Sequence, residues 1–180
     1  MISRRKLLER VVQAFTVTGL GFVIYPFVKS WIPGFTEDIS LEVALDDLAP
    51  GETKVVDWLG RRVLVRRQSR QMVAAIEAGR LKLKDPASGF SQQPVFAAND
   101  FRALKPEFFV AFNNCTHLGC EVAPVDDAGI GFSCPCHQSE YDYAGRVIEG
   151  ATAPTNLEVP NYRFVSRNTL RLESIDLPSS

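Results

Sequence analysis

Three regimes of hydrophobic patterning divide the chain. The first is an unbroken apolar run, VVQAFTVTGLGFVIYPFV from Val11 to Val28, with no charged residue. Its length is at the lower limit for a helix crossing the hydrocarbon core of a bilayer, and Trp31 and Ile32 extend it past Lys29. A buried helix of this length would show one polar face, and only Gln13, Thr16 and Thr18 offer one. A cleaved signal peptide would end in a small-x-small site, and KSWIPGF follows instead. The run therefore predicts a retained transmembrane anchor over residues 11–32, with Tyr25 and Trp31 suited to the interface belt.

The second regime is short. PGFTED, Pro33 to Asp38, is polar and carries Pro and Gly, and it reads as a tether or hinge over 33–38. From Ile39 onward the period drops to two. ISLEVAL, TKVVDWL, RRVLVRR and FFVAFNN alternate with β-branched and aromatic residues and predict strands, with APGE and LGRR as turns. QMVAAIEAG predicts a short helix ending at Gly79, and LKLKDPASGFSQQP a loop. YRFVS and TLRLESI predict a closing hairpin around Arg167 and Asn168. The third regime, residues 39–180, is one β-rich domain without repeats.

Charge adds a direction. The chain of 180 residues has a formal net charge of −1, so no basic stripe points to nucleic acid. Its basic residues do cluster ahead of the anchor, in SRRKLLER (Arg4, Arg5, Lys6, Arg10). The positive-inside rule puts residues 1–10 in the cytoplasm and everything after Lys29 across the membrane. The Arg4-Arg5 pair also resembles a twin-arginine export signal, a route used by proteins that must take up a cofactor before crossing.

The candidate chemistry is concentrated. All 4 cysteines and both histidines lie in two hexapeptides, CTHLGC (Cys115–Cys120) and CPCHQS (Cys134–Ser139). Each offers one thiolate and one imidazole, from Cys115 and His117 and from Cys134 and His137. Two sulfurs and two nitrogens suit zinc, or a 2Fe–2S cluster with one iron held by sulfur and the other by nitrogen. Four metal-bound thiols would leave two surplus histidines. A disulfide between Cys120 and Cys136, which sit at equivalent places beside the two motifs, is the better account, and it needs an oxidising compartment. Two plain disulfides would leave the histidines unexplained.

CTHLGC with CPCHxS resembles the Rieske iron–sulfur signature in the form with the extra cysteine pair. QSEYDYAGRVIEGATAPTNLEVP, VDWLGRRVLVRR, LKDPASGFSQQP, LKPEFFV and the N-terminal segment are also similar, in the same order, to Rieske subunits of ubiquinol–cytochrome c reductase. The resemblance implies an all-β fold of stacked antiparallel sheets, with a small cluster-binding subdomain over about 112–156, on a single transmembrane helix. It implies one 2Fe–2S cluster, with Cys115 and Cys134 on the inner iron and His117 and His137 on the outer one. Cys120–Cys136 would be the disulfide. Ser139 and Tyr141 would donate hydrogen bonds to a bridging sulfide and to a cysteine sulfur, and Leu118 would pack over the cluster at the docking surface.

The implied function is electron transfer from ubiquinol to cytochrome c1, beside cytochrome b, in a dimeric complex of the bacterial inner membrane. Imidazole ligands remove negative charge and raise the potential, and hydroxyl donors to sulfur act the same way. His117 and His137 could also exchange a proton as the electron arrives, which is proton-coupled electron transfer. Two departures from the family stand out. Gln138 replaces the usual Gly after the second histidine, and Thr152 replaces the first Pro of Pro-Ala-Pro. Alternatives are the Rieske small subunit of an exported molybdenum oxidase and a zinc-stabilised binding module.

Overall fold

The structure is a computed structural model that describes residues 3–31, 40–127 and 129–174. It divides into two units, 1–37 and 38–180.

The first unit holds one helix, α1 (Arg4–Trp31). It runs back through the basic segment, beyond the expected start at Val11. Apolar side chains point outward on all sides, and none of the apolar window Arg4–Lys29 is covered by protein. A helix apolar all round needs an apolar solvent. The hydroxyls of Thr16 and Thr18 donate back to the carbonyls of Val12 (2.9 Å) and Ala14 (2.8 Å), so they carry no unmet donor into it. The expected tether lies outside the described residues.

The second unit is built from three antiparallel sheets of three strands. The strands are β1 (Leu41–Ala44), β2 (Thr53–Trp58), β3 (Arg61–Arg67), β4 (Phe108–Phe112), β5 (Ala123–Asp127), β6 (Ile130–Ser133), β7 (Glu140–Asp142), β8 (Tyr162–Phe164) and β9 (Thr169–Leu172). The sheet orders are β1-β9-β8, β2-β3-β4 and β5-β6-β7. In the first sheet Val43 pairs with Leu170, so the two ends of the domain close on each other. The expected hairpin is β8–β9. Between β3 and β4 stands α2 (Arg70–Ala78), whose first turn is capped by Ser69 accepting from the Met72 amide. Gly79 ends it at φ 57, the left-handed angle that terminates helices.

One core joins the sheets. Val63, Val65, Phe109, Val110, Phe132, Tyr141, Leu157, Leu170 and Leu172 are all fully buried within it. Two arginines are buried too, and both bond to backbone carbonyls far along the chain. Arg66 in β3 donates to the Gly131 carbonyl at 2.7 Å. Arg102 donates to the carbonyls of Leu157 (2.7 Å), Ala144 (3.2 Å) and Gly145 (3.3 Å). Burial pushes its guanidinium down to about 10, so it remains charged at neutral pH and its bonds stay charge-assisted.

Candidate metal centre

The two cysteine–histidine motifs form two loops of one design. In the first, the Cys115 amide donates to the Cys120 carbonyl (2.7 Å) and the Gly119 amide to the Cys115 carbonyl (2.9 Å). In the second, the Cys134 amide donates to the Ser139 carbonyl (2.8 Å) and the Gln138 amide to the Cys134 carbonyl (2.9 Å). Each loop thus turns on the residue four places after its first cysteine, and both such residues are left-handed, Gly119 at φ 78 and Gln138 at φ 55. The glycine missing at 138 is therefore a glycine of conformation. Gln138 adopts the same turn at a cost of about 1–2 kcal/mol, and the loop keeps its path. Its side chain is exposed.

This correspondence corrects one expectation. Cys120 and Cys136 are not at equivalent places. Cys120 matches Ser139 in the hydrogen-bond pattern, and Cys136 matches His117. They are nevertheless bonded, with Cα atoms 6.6 Å apart, so the disulfide crosses from the end of one loop to the middle of the other.

Cys115 and Cys134 are the free cysteines, and both are buried. The sulfurs of Cys120, Cys134 and Cys136 lie within 4.8 Å of one another, but two of these belong to the disulfide and only Cys134 is open to ligation. The rings of His117 and His137 stand edge to face, their centroids 4.6 Å apart. His117 is half-buried and His137 exposed. The Nδ1 atom of His117 is buried and has no hydrogen-bond partner among the described residues. A buried, unmet ring nitrogen is costly in a finished site. Next to a second imidazole, on loops that carry two buried free thiols, it fits a metal ligand, and the donor set of two sulfurs and two nitrogens fits a 2Fe–2S cluster of the mixed type.

Two hydroxyls sit beneath the loops. The Tyr141 hydroxyl, on β7, lies 3.3 Å from the Cys115 sulfur and 3.3 Å from the Thr116 hydroxyl. The Thr116 hydroxyl spends its hydrogen on the Thr155 carbonyl at 2.7 Å. For an O–H···O bond 3.3 Å is long, whereas for a contact to sulfur it is ordinary, so the Tyr141 hydrogen points to Cys115. Burial first, then this sulfur contact, pushes the Tyr141 hydroxyl well above its usual range, and it stays a donor. Ser139 is fully buried. Its oxygen accepts from the Ala153 amide at 3.0 Å and lies 3.0 Å from the Thr152 hydroxyl. Leu118 is 70% exposed, an apolar side chain on the outside of the first loop.

The segment 81–94 is a loop, as expected, and it braces the chain around Thr152. Lys84 donates to the carbonyls of Ala151 (2.8 Å) and Ala153 (2.9 Å), clamping the strand of chain that carries Thr152. Asn156 holds the same segment from the other end, accepting from the Val147 amide (2.8 Å) and donating to the Asp85 carbonyl (2.8 Å). The Asp85 carboxylate gathers the amides of Gly89 (2.7 Å) and Phe90 (3.1 Å) and the Ser91 hydroxyl (2.7 Å). Burial alone would raise the Asp85 carboxyl, and the hydrogen bonds from Ser91, Phe90 and Gly89 outweigh it and hold it below its usual range. A depressed carboxyl contributes stability above its unfolded value and loses it as pH falls through the folded one. Asp85→Asn should therefore cost about 1–3 kcal/mol at neutral pH and flatten the acid limb of the stability profile, which urea unfolding across pH would measure. Lys84, Asn156 and Thr116 were not among the residues expected from the sequence, and Thr152 entered only as a missing proline. Polar residues in a loop give no signal until the fold brings them under a site.

The sequence pattern of the Rieske [2Fe-2S] domain family matches residues 89–163, which include both loops. The chain is 37% identical to the ubiquinol-cytochrome c reductase iron-sulfur subunit of Allochromatium vinosum, over 93% of this chain and 86% of that one. It is 36% identical to the mitochondrial cytochrome b-c1 complex subunit Rieske-3 of Nicotiana tabacum, over 90% of this chain and 60% of that one. A solved structure of a hyperthermophilic respiratory Complex III aligns over 90% of this chain and 98% of that one, at 20% identity and a TM-score of 0.48. Loops and family pattern together define a Rieske-type 2Fe–2S protein. Within that class the chain belongs to the family of ubiquinol–cytochrome c reductase iron–sulfur subunits. It is an electron-transfer subunit of an oxidoreductase complex, with one Rieske cluster as its cofactor.

Proposed function

We propose that this subunit takes one electron from ubiquinol at the outer face of the bacterial inner membrane and passes it to cytochrome c1, within a dimeric complex that also contains cytochrome b. The observation that carries this reading is the pair of adjacent imidazoles, carried by the same two disulfide-linked loops as the two buried free thiols. When bound, a 2Fe–2S cluster supplies a centre that accepts and releases a single electron.

The chain's own residues do the rest. Cys115 and Cys134 would hold a cluster iron as thiolates, and His117 and His137 would hold the other as neutral imidazoles. With one ring nitrogen committed to metal, the other on each imidazole is left to accept or release a proton toward a quinol. His137 is exposed and so is the ring better placed to meet one. Leu118 offers the apolar contact at the docking face. Tyr141 donates to the Cys115 sulfur and Ser139 could donate to a cluster sulfur, both of which would favour the electron-rich state. Residues 112–156 form the cluster-binding subdomain. The Arg4-Arg5 pair directs twin-arginine export, α1 spans the membrane once with its N-terminus in the cytoplasm, and 33–38 is a hinge for the periplasmic head.

The deciding experiment is a spectrum. The purified protein is expected to be coloured and to give an EPR signal when reduced, whereas a zinc module would be colourless and silent. Tyr141→Phe should keep the cluster and lower its midpoint potential, because burial leaves no water to replace the lost donor. Protein-film voltammetry would read the shift, and an unchanged potential would remove Tyr141 from the reading.

A further inference from the structure

The Ser139 hydroxyl has one hydrogen, and the structure gives it a competitor. Thr152 touches two acceptors. Its hydroxyl donates to the His137 carbonyl at 3.1 Å and lies 3.0 Å from Ser139 Oγ. One hydroxyl carries one hydrogen, so Thr152 cannot donate to both at once. With its hydrogen on the His137 carbonyl, the contact to Ser139 is a hydrogen bond only if Ser139 is the donor. The chain of bonds then runs from the Ala153 amide to Ser139, from Ser139 to Thr152, and from Thr152 to the carbonyl. Each member is satisfied, and the Ser139 hydrogen is spent on Thr152.

For Ser139 to donate to a cluster sulfur, both rotors must turn. Thr152 gives up the His137 carbonyl and donates to Ser139 instead, and Ser139 is freed. The abandoned carbonyl belongs to an exposed residue and can take a water. Ser139 has no such option, because it is 0% exposed and no solvent can stand in for Thr152.

We propose that Thr152 is a positioning residue that competes with the cluster for the Ser139 hydrogen, and so holds the cluster's potential below what the same site would reach without this hydroxyl. The inference rests on the reading of Ser139 as a donor to sulfur. Before the electron arrives, the Thr152 contact stabilises the arrangement in which Ser139 faces away. After it arrives, the greater negative charge on sulfur draws the hydrogen across. Stabilising the first arrangement makes reduction harder. A side chain of the same shape without the hydroxyl leaves Ser139 with the sulfur as its acceptor in both states.

The test is a set of midpoint potentials on cluster-loaded full-length protein. Thr152→Val should raise the potential, by a shift corresponding to roughly threefold easier reduction, about 30 mV for one electron. Thr152→Ser restores the rotor and should return the potential to the wild-type value. Ser139→Ala should lower the potential, and in that background Thr152→Val should change nothing. The cycle separates two failures. If Ser139→Ala leaves the potential where it was, Ser139 is not a donor to sulfur, and the proposal falls with that reading. If Ser139→Ala lowers it but Thr152→Val leaves it unchanged or lowers it, Ser139 is a donor and the competition alone is overturned. A rise that persists without the Ser139 hydroxyl overturns it as well, since Thr152 would then act by another path.

Discussion

Replacing any one of Cys115, His117, Cys134 or His137 by alanine should abolish the EPR signal and visible absorbance of the reduced protein and take quinol oxidation to background. The four side chains lie on two loops of one design that the disulfide and the His117–His137 ring contact join, and each loop would contribute one sulfur and one nitrogen. Removing one leaves an iron with an open position in a site that is otherwise closed by protein on the cysteine side. The two classes of ligand should differ in what survives. Cys115 and Cys134 lie in the common core, at 2% and 1% exposure, and alanine there removes a buried sulfur and opens a cavity as well as a ligand position. His137 is exposed and His117 half-buried, both outside the common core, so their alanine variants should fold with near-native unfolding midpoints and simply carry no cluster. His117→Cys and His137→Cys discriminate further. A cluster that tolerated a thiolate there would have more negative charge and a far lower potential. A full-strength EPR signal at wild-type potential in either histidine variant would take that imidazole out of the ligand set.

The candidate ligands stood out in the sequence because cysteine and histidine are scarce in it and both motifs spend them together. The strands β1 to β4 and the final hairpin were legible for a different reason, since alternation leaves a trace within each segment. What could not be read locally is what joins distant segments. The third sheet contains Pro124 and register shifts, so β5 and β6 show no clean period of two. Nothing local in the sequence marks Arg66 and Arg102 for burial, yet both are 1% exposed, because their guanidinium groups find backbone carbonyls that only the assembled fold presents. The same holds at the site. Gln138 stands out in the sequence as a departure, but its meaning depends on the second loop copying the turn that Gly119 makes in the first. Thr152 stands out as a missing proline, and becomes informative only once its hydroxyl is seen between Ser139 and His137.

The double variant Cys120→Ser, Cys136→Ser should leave a protein that still takes up a cluster but loses it quickly. The disulfide is the one covalent link between the two loops, and Cys136 neighbours His137 directly in the chain. Cross-links of this kind contribute about 2–4 kcal/mol. The core beneath does not depend on it: the Tyr141 contact to Cys115, the Thr116 bond to Thr155 and the Lys84 clamp all remain. Those bonds fix the base of the first loop and the segment 151–155, whereas the outer half of the second loop, Pro135 to Gln138, is exposed and is covalently tied to the first by the disulfide. Loss of the tie should therefore show at the histidine side first. The expected result is a cluster that assembles to a reduced level and whose absorbance decays faster under mild heating or chelator. The thermal midpoint of the β-domain itself should fall less than the cluster's lifetime. Reductant applied to the wild-type protein should reproduce the same lability, since it opens the same bond. Wild-type cluster content and lifetime in the double serine variant would mean that the lower hydrogen bonds alone hold the loops together, and that the disulfide adds nothing to the site.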